Sequence, residues 1–232
     1  MSKQYTLSNT PALGQFSQLH KEFDKIPFGD LIKPTKAPKV IFVGDHAVGK
    51  TTFCRAIETG EFQANYIVTV GVEYHGIECF VNGLNFLINL WDTAGEEKNH
   101  SLTKSYYRAC NIAVLCFSLH DPDSFEHVAF WLDSVKNSTS EDLIGIMLLG
   151  MKSDLSHKVK DSEIKNFCET HSLEYFETSA KNMQNVEAVM NRIIFLTSAY
   201  QISGIPRTQR VVSETVELQS NTNAKKNKGC CN

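Results

Sequence analysis

The segment Gly44-Asp45-His46-Ala47-Val48-Gly49-Lys50-Thr51 constrains the fold of this chain more than any other. It fits the pattern G-x-x-x-x-G-K-[ST] and stands between the apolar, β-branched run Val40-Ile41-Phe42-Val43 and a segment of helical spacing that begins near Lys50. A chain passing through such a loop leaves a strand buried on both faces and enters a helix within a few residues. The N–H groups of the loop and the positive end of the helix dipole then face one point, which favours phosphate. Lys50 reaches toward the terminal phosphates of a nucleotide and the Thr51 hydroxyl toward Mg²⁺, with Asp45, His46, Ala47, Val48, Gly49 and Thr52 completing the phosphate-binding set. The pattern arises by chance in roughly one chain in a hundred of this length, as an ordinary glycine-containing turn, and the flanking strand and helix reduce that further.

Runs similar to residues 40–43 recur at 72–81, 86–91, 112–117, 143–149 and 175–178, mostly separated by segments of helical spacing. The alternation predicts an α/β domain of the P-loop NTPase type, with a six-stranded, mostly parallel sheet and helices on both faces. The second and third runs are parted only by Asn82-Gly83, which predicts one antiparallel edge hairpin. A last helix places Val186, Val189, Met190, Ile193, Ile194 and Leu196 on one stripe, and Gly204 with Pro206 marks its end. The folded domain is therefore expected over 39–204. Residues 1–38 are polar and broken by Pro11, Pro27, Pro34 and Pro38, with one short amphipathic stretch around Phe16, Leu19, Phe23 and Ile26; they read as a flexible extension. Residues 205–232 read as a flexible, hypervariable tail.

A net charge of −3 provides no overall basic field, so nucleic acid is not an expected partner. The seven cysteines show neither zinc-ligand spacing nor a disulfide framework, which fits a reducing cytosol. No apolar run is long enough to span a bilayer. Cys116, Phe117 and Trp131 read as core, and the histidines other than His46 as surface.

Trp91-Asp92-Thr93-Ala94-Gly95-Glu96-Glu97 resembles the W-D-T-A-G-Q-E element of Ras-like GTPases, departing only at Glu96. Ile67-Val68-Thr69-Val70-Gly71-Val72-Glu73-Tyr74 resembles the first switch of the Rab branch. Gly150-Met151-Lys152-Ser153-Asp154 resembles the N-K-x-D guanine motif with its first member changed, and Glu177-Thr178-Ser179-Ala180-Lys181 matches E-T-S-A-K throughout. Tyr106-Tyr107-Arg108-Ala109 and Asp123-Ser124-Phe125, followed by Trp131, also resemble Rab elements. Over residues 39 to about 200 the chain is thus similar to a divergent member of the Rab family of Ras-like small GTPases.

That resemblance implies a GTP/GDP-binding switch that hydrolyses GTP to GDP and phosphate and regulates vesicle trafficking. Mg²⁺ would be held by Thr51, by Thr69 in the triphosphate state, and through water by Asp92, while the Gly95 N–H senses the γ-phosphate. Guanine would be read by the Asp154 carboxylate, which accepts from N1–H and the exocyclic amine, with Lys152 along the base, Ser179, Ala180 and Lys181 around it, and Phe62 over the ring edge. Effectors, an exchange factor, a GTPase-activating protein, a prenylation escort and a GDP-dissociation inhibitor are the implied partners.

Four departures bear on turnover. Glu96 stands where the family carries the water-positioning Gln, so it brings negative charge toward the γ-phosphate and lacks an amide donor. His46 and Ala47 replace small loop residues, Met151 replaces the Asn that braces the loop, and Glu97-Lys98-Asn99-His100 lacks the usual aromatic. Slow hydrolysis with catalytic roles for Lys50 and Glu96 is the expectation; the alternative is a GTP-binding scaffold with little or no hydrolysis. A small-molecule kinase finds no support, because the segments after the loop match switches and base readers.

The chain ends Cys230-Cys231-Asn232, which is not a C-a-a-X box but resembles the doubly geranylgeranylated C-C-X terminus of Rabs. Two prenyl chains with Lys225, Lys226 and Lys228 beside them imply stable attachment to the cytoplasmic face of an endomembrane, cycling with the cytosol.

Overall fold

The computed structural model describes residues 5–6, 27–64, 68–95, 103–138 and 142–200. Its sheet grows outward from β2 (Lys39–Gly44), whose apolar run is buried throughout from Val40. Burial on both faces follows from position: β2 pairs in parallel with β4 (Leu84–Thr93) on one side and β5 (Ile112–Ser118) on the other. From β5 the chain continues in parallel to β6 (Gly145–Met151) and β7 (Glu174–Glu177). β3 (Val72–Val81) and β4 form the antiparallel hairpin, in register from Val72↔Thr93 to Val81↔Leu84. Asn82 and Gly83 both take positive φ, 52° and 81°, as a two-residue turn requires.

Helices cover both faces. α1 (Lys50–Thr59) and α6 (Val186–Ala199) lie over a cluster that includes Val40, Phe42, Phe53, Ile77 and Ile193. α4 (Val128–Ser138) and α5 (Asp161–His171) cover the opposite cluster of Ile41, Val43, Leu115, Trp131 and Ile164, and the short helices α2 (Thr103–Tyr107) and α3 (Pro122–Glu126) lie between strands in the sequence. The sheet order is β1-β3-β4-β2-β5-β6-β7, so connections leave β2 first toward one edge and then toward the other. Such a reversal opens a crevice at the carboxyl ends of the central strands, where ligands bind in open α/β sheets.

The six expected strands are joined by a seventh. β1 (Tyr5–Thr6) pairs in parallel with Cys79 and Phe80 of β3. Tyr5 is 2% exposed, and its hydroxyl donates to the Ile57 carbonyl at 2.9 Å, one of the last-turn carbonyls of α1 without an intrahelical partner. Leu31 is also buried, and Asn82 Nδ2 donates to its carbonyl at 2.6 Å. The stretch read as a flexible extension thus supplies a core aromatic and an edge strand. The amphipathic stretch around Phe16 to Ile26 and all of 201–232 lie outside the described residues.

Replacing Tyr5 with Phe should therefore cost about 1 kcal/mol through the lost hydrogen bond, and with Ala about 3 kcal/mol through the cavity. Urea unfolding at a fixed GDP concentration measures both, and unchanged midpoints would show that this strand does not dock in solution.

Candidate functional site

Gly44 ends β2 with φ +145°, and a Cβ there would lie 2.1 Å from the Cys116 carbonyl oxygen, so only glycine lets the two central strands meet before the loop opens. The loop delivers Lys50 to the start of α1. This ammonium is 4% exposed and donates to the carbonyls of Gly44 at 2.8 Å and Asp45 at 2.9 Å. Lys50, Ala47, Gly49, Thr51, Thr52, Thr69 and Ala94 line a cleft at this point. Val48 turns inward and is buried, whereas the His46 side chain is exposed.

Three oxygens from separate segments converge beside Lys50. Thr51 Oγ1 donates to Asp92 Oδ2 at 2.6 Å and lies 2.6 Å from Thr69 Oγ1, which itself is 3.3 Å from Asp92 Oδ2. Asp92 is fully buried, and its Oδ1 has no hydrogen-bond partner among the described residues. Burial raises its carboxyl above the ordinary carboxylate range, opposed by the Thr51 hydrogen bond and the Lys50 charge. Hydroxyl and carboxylate oxygens clustered around a buried, incompletely satisfied anion are the donor set a hard divalent cation takes, so these residues fit Mg²⁺. Gly95, at φ +85°, presses its backbone against the loop: a Cβ there would lie 2.6 Å from both His46 N and Lys50 Nζ.

A second cluster lies where β6 and β7 end. Ser179 Oγ donates to Asp154 Oδ1 at 2.6 Å, and Lys181 Nζ approaches Oδ2 at 3.6 Å. Burial works against ionisation of Asp154, yet the Ser179 hydrogen bond, its own backbone N–H and Lys181 together hold the carboxyl below the usual range. Thr178 N donates to the Gly150 carbonyl at 2.7 Å and Ser153 N to the Thr178 carbonyl at 3.0 Å, which locks the two segments together. Lys152, in left-handed conformation at φ 61°, sends its Nζ to the Ala47 carbonyl at 2.7 Å. This second cluster is thereby tied to the Gly44–Thr51 loop through Lys152, while Met151 is buried and accepts the Thr178 hydroxyl at its sulfur, 3.2 Å. Ala180 is half-buried beside this cluster, and Phe62, just beyond α1, is 40% exposed. Glu96, Cys230 and Cys231 lie outside the described residues.

Two contributions escape sequence reasoning. Asp45 is clasped by side chains from one distant helix and the turn before it: Trp131 Nε1 donates to Oδ1 at 2.8 Å, and His127 Nδ1 meets Oδ2 at 2.5 Å. Trp131 is core, as expected, but its indole N–H also steadies the loop. His75, read as a surface residue, is 3% exposed, with Nδ1 2.7 Å from Glu58 Oε2. Its position is visible in the alternation His75, Ile77, Cys79, Val81, all buried on the inner face of β3.

Comparison with known proteins gives a consistent result. The Ras family pattern matches residues 39–198. The Ras-related protein Rab-11B of Dictyostelium discoideum is 35% identical over 157 residues, covering 67% of this chain and 71% of that protein. The Ras-related protein RABA1b of Arabidopsis thaliana is 33% identical over 206 residues, covering 83% and 93% respectively. The Ras-related protein RGP1 of Oryza sativa subsp. japonica is 33% identical over 186 residues, covering 79% and 80%.

Ser179→Ala removes the short hydrogen bond that orients Asp154. A hydrogen bond to a charged group contributes about 1.5 kcal/mol or more, so GDP affinity measured by calorimetry should fall about tenfold; unchanged affinity would remove Asp154 from the binding site.

Proposed function

The chain belongs to the Ras family as a Rab-type small GTPase, and from that premise we propose that it serves vesicle trafficking as a membrane-anchored switch whose own GTP hydrolysis is slow. The observation that carries this reading is the convergence of Thr51, Thr69 and Asp92 oxygens beside the buried Lys50, with Asp154 and Ser179 held across the same loop by Lys152. One cluster has the chemistry of a nucleotide's phosphates and the other that of guanine.

Lys50 would exchange its loop carbonyls for β- and γ-phosphate oxygens, joined by the N–H groups of the loop that follows Gly44. Thr51, Thr69 and Asp92 would hold Mg²⁺, which supplies positive charge to the same oxygens. Asp154 accepts from guanine N1–H and the exocyclic amine, a pair of donors adenine lacks. Thr69 and Gly95 approach the loop from the segments before β3 and after β4, so contacts to a γ-phosphate would order both, and its loss would release them. Effectors would read the ordered state, and an exchange factor and an activating protein would set its lifetime.

Hydrolysis is in-line attack of water on the γ-phosphate, and Glu96 stands in the sequence where a residue orients that water. A carboxylate there repels the charge that collects on the phosphoryl group. A scaffold that scarcely hydrolyses GTP is the competing reading, favoured by His46, which sits on the loop where Gly95 packs against its backbone. The Cys230-Cys231 terminus would carry two geranylgeranyl groups, and among the described residues no helix is long and apolar enough to cross a membrane.

Glu96→Gln should raise the single-turnover hydrolysis rate about tenfold, equivalent to ~1.4 kcal/mol of barrier, and pairing it with His46→Ser should raise it further. A wild-type rate that neither variant changes would show that Glu96 does not limit turnover. Changing Cys230 and Cys231 to Ser should move the protein from membrane to soluble fractions with GDP affinity intact; persistence on membranes would place the anchor elsewhere.

A further inference from the structure

Behind the oxygens assigned to Mg²⁺, the inner face of the β3–β4 hairpin carries a second group of ligand atoms. Glu73 and Asp92 are direct cross-strand partners, and His75 follows Glu73 by two positions on the same face. One ligand atom from each of the three lies within 4.8 Å of the others. We propose that Glu73, His75 and Asp92 form a second cation site, suited to a borderline divalent transition metal such as Zn²⁺, with Asp92 shared between this ion and Mg²⁺.

The chemistry of His75 favours a metal over a structural ion pair alone. Its Nδ1 is engaged by Glu58 Oε2 at 2.7 Å, which leaves Nε2 as the other ring nitrogen, and Nε2 is buried with no hydrogen-bond partner among the described residues. A buried, unpaired ring nitrogen is costly in itself. An imidazole whose other nitrogen is oriented by a carboxylate is the arrangement that prepares histidine to ligate zinc. Asp92 repeats the pattern: Oδ2 is taken by Thr51 and Thr69, while Oδ1 is buried and has no partner among the described residues. Each of these two buried residues keeps one unpartnered atom among the described residues, and both residues belong to the same group of ligand atoms, so a single cation held there would satisfy them together.

Glu73 completes the set. Arg55 contacts both of its oxygens, at 3.4 and 3.2 Å, but a carboxylate offers about four lone-pair directions and accommodates a guanidinium and a metal together. Ligand atoms around tetrahedral Zn²⁺ stand about 3.5 Å apart, so a modest closure suffices, and Glu73, 42% exposed in its side chain, is free to make it. One nitrogen and two oxygens select a borderline ion over Mg²⁺ or Ca²⁺, which take oxygen alone. The position is distinct from the nucleotide cleft, since neither Glu73 nor His75 lines it.

The test uses the full chain with Cys230 and Cys231 changed to Ser, freed of metal by a chelator and saturated with GDP and excess Mg²⁺. Calorimetric titration with Zn²⁺ should show one equivalent bound, and Co²⁺ in its place should develop the intense visible absorption of a four-coordinate site. His75→Gln should abolish both signals, and Glu73→Gln should weaken Zn²⁺ binding. Glu58→Gln, a change to the carboxylate that pairs with His75 Nδ1, should weaken it ten- to a hundredfold. GDP affinity should be unchanged in the His75 and Glu58 variants. No saturable Zn²⁺ binding, binding that His75→Gln and Glu58→Gln leave intact, or binding that excess Mg²⁺ displaces would each overturn the proposal. If His75→Gln does not fold, the Glu58 and Glu73 variants decide alone.

Discussion

Lys50 is a charge taken almost wholly out of water, and the site is built around that fact. A buried ammonium is tolerated only when its donors meet acceptors, and here they meet carbonyls of the loop that precedes it. The loop holds that curve because Gly44 approaches the Cys116 carbonyl more closely than any Cβ allows, and because Asp45 is gripped by Trp131 and His127. With the loop fixed, Thr51 falls opposite Asp92, and the two outer segments, at Thr69 and Gly95, meet it at the same point. The cleft is thus shaped by the central strand, its loop and the first turn of one helix.

The Met151 substitution illustrates how such a site absorbs change. The guanine motif resembled by Gly150-Met151-Lys152-Ser153-Asp154 ordinarily begins with an amide that braces the phosphate loop. Here the brace runs from Lys152 Nζ to the Ala47 carbonyl, and Met151 fills the core while its sulfur accepts the Thr178 hydroxyl. The Gly44–Thr51 loop and the Asp154–Ser179 cluster are therefore joined through Lys152, without an amide at position 151. Asp154, at the far side of this link, is held ionised by Ser179 and Lys181.

What was legible in the sequence was what is encoded locally. The apolar run, the loop and the helix start are contiguous, so order alone placed Lys50 and Thr51; Asn82-Gly83 specified its hairpin through the φ values such a turn needs. The clasp on Asp45 was not legible, because Trp131 lies 86 positions away and carried only the signal of a core aromatic. Tyr5 escaped for a different reason: a two-residue strand has no period, and its surroundings are polar. His75 could have been found, since it stands in phase with Ile77, Cys79 and Val81, but the habit of placing histidine outside overrode the alternation.

Guanine specificity tests the central claim most directly, by comparing the affinities of GDP, IDP and ADP for the wild type and for Asp154→Asn. IDP lacks only the exocyclic amine. If Asp154 accepts from that amine, the wild type should bind GDP at least about tenfold tighter than IDP and far tighter than ADP, and the GDP preference over IDP should collapse in the variant. Equal affinity of the wild type for GDP and ADP, or a GDP preference that survives in Asp154→Asn, would contradict the assignment of Asp154 and with it the reading of this site as a guanine-nucleotide switch.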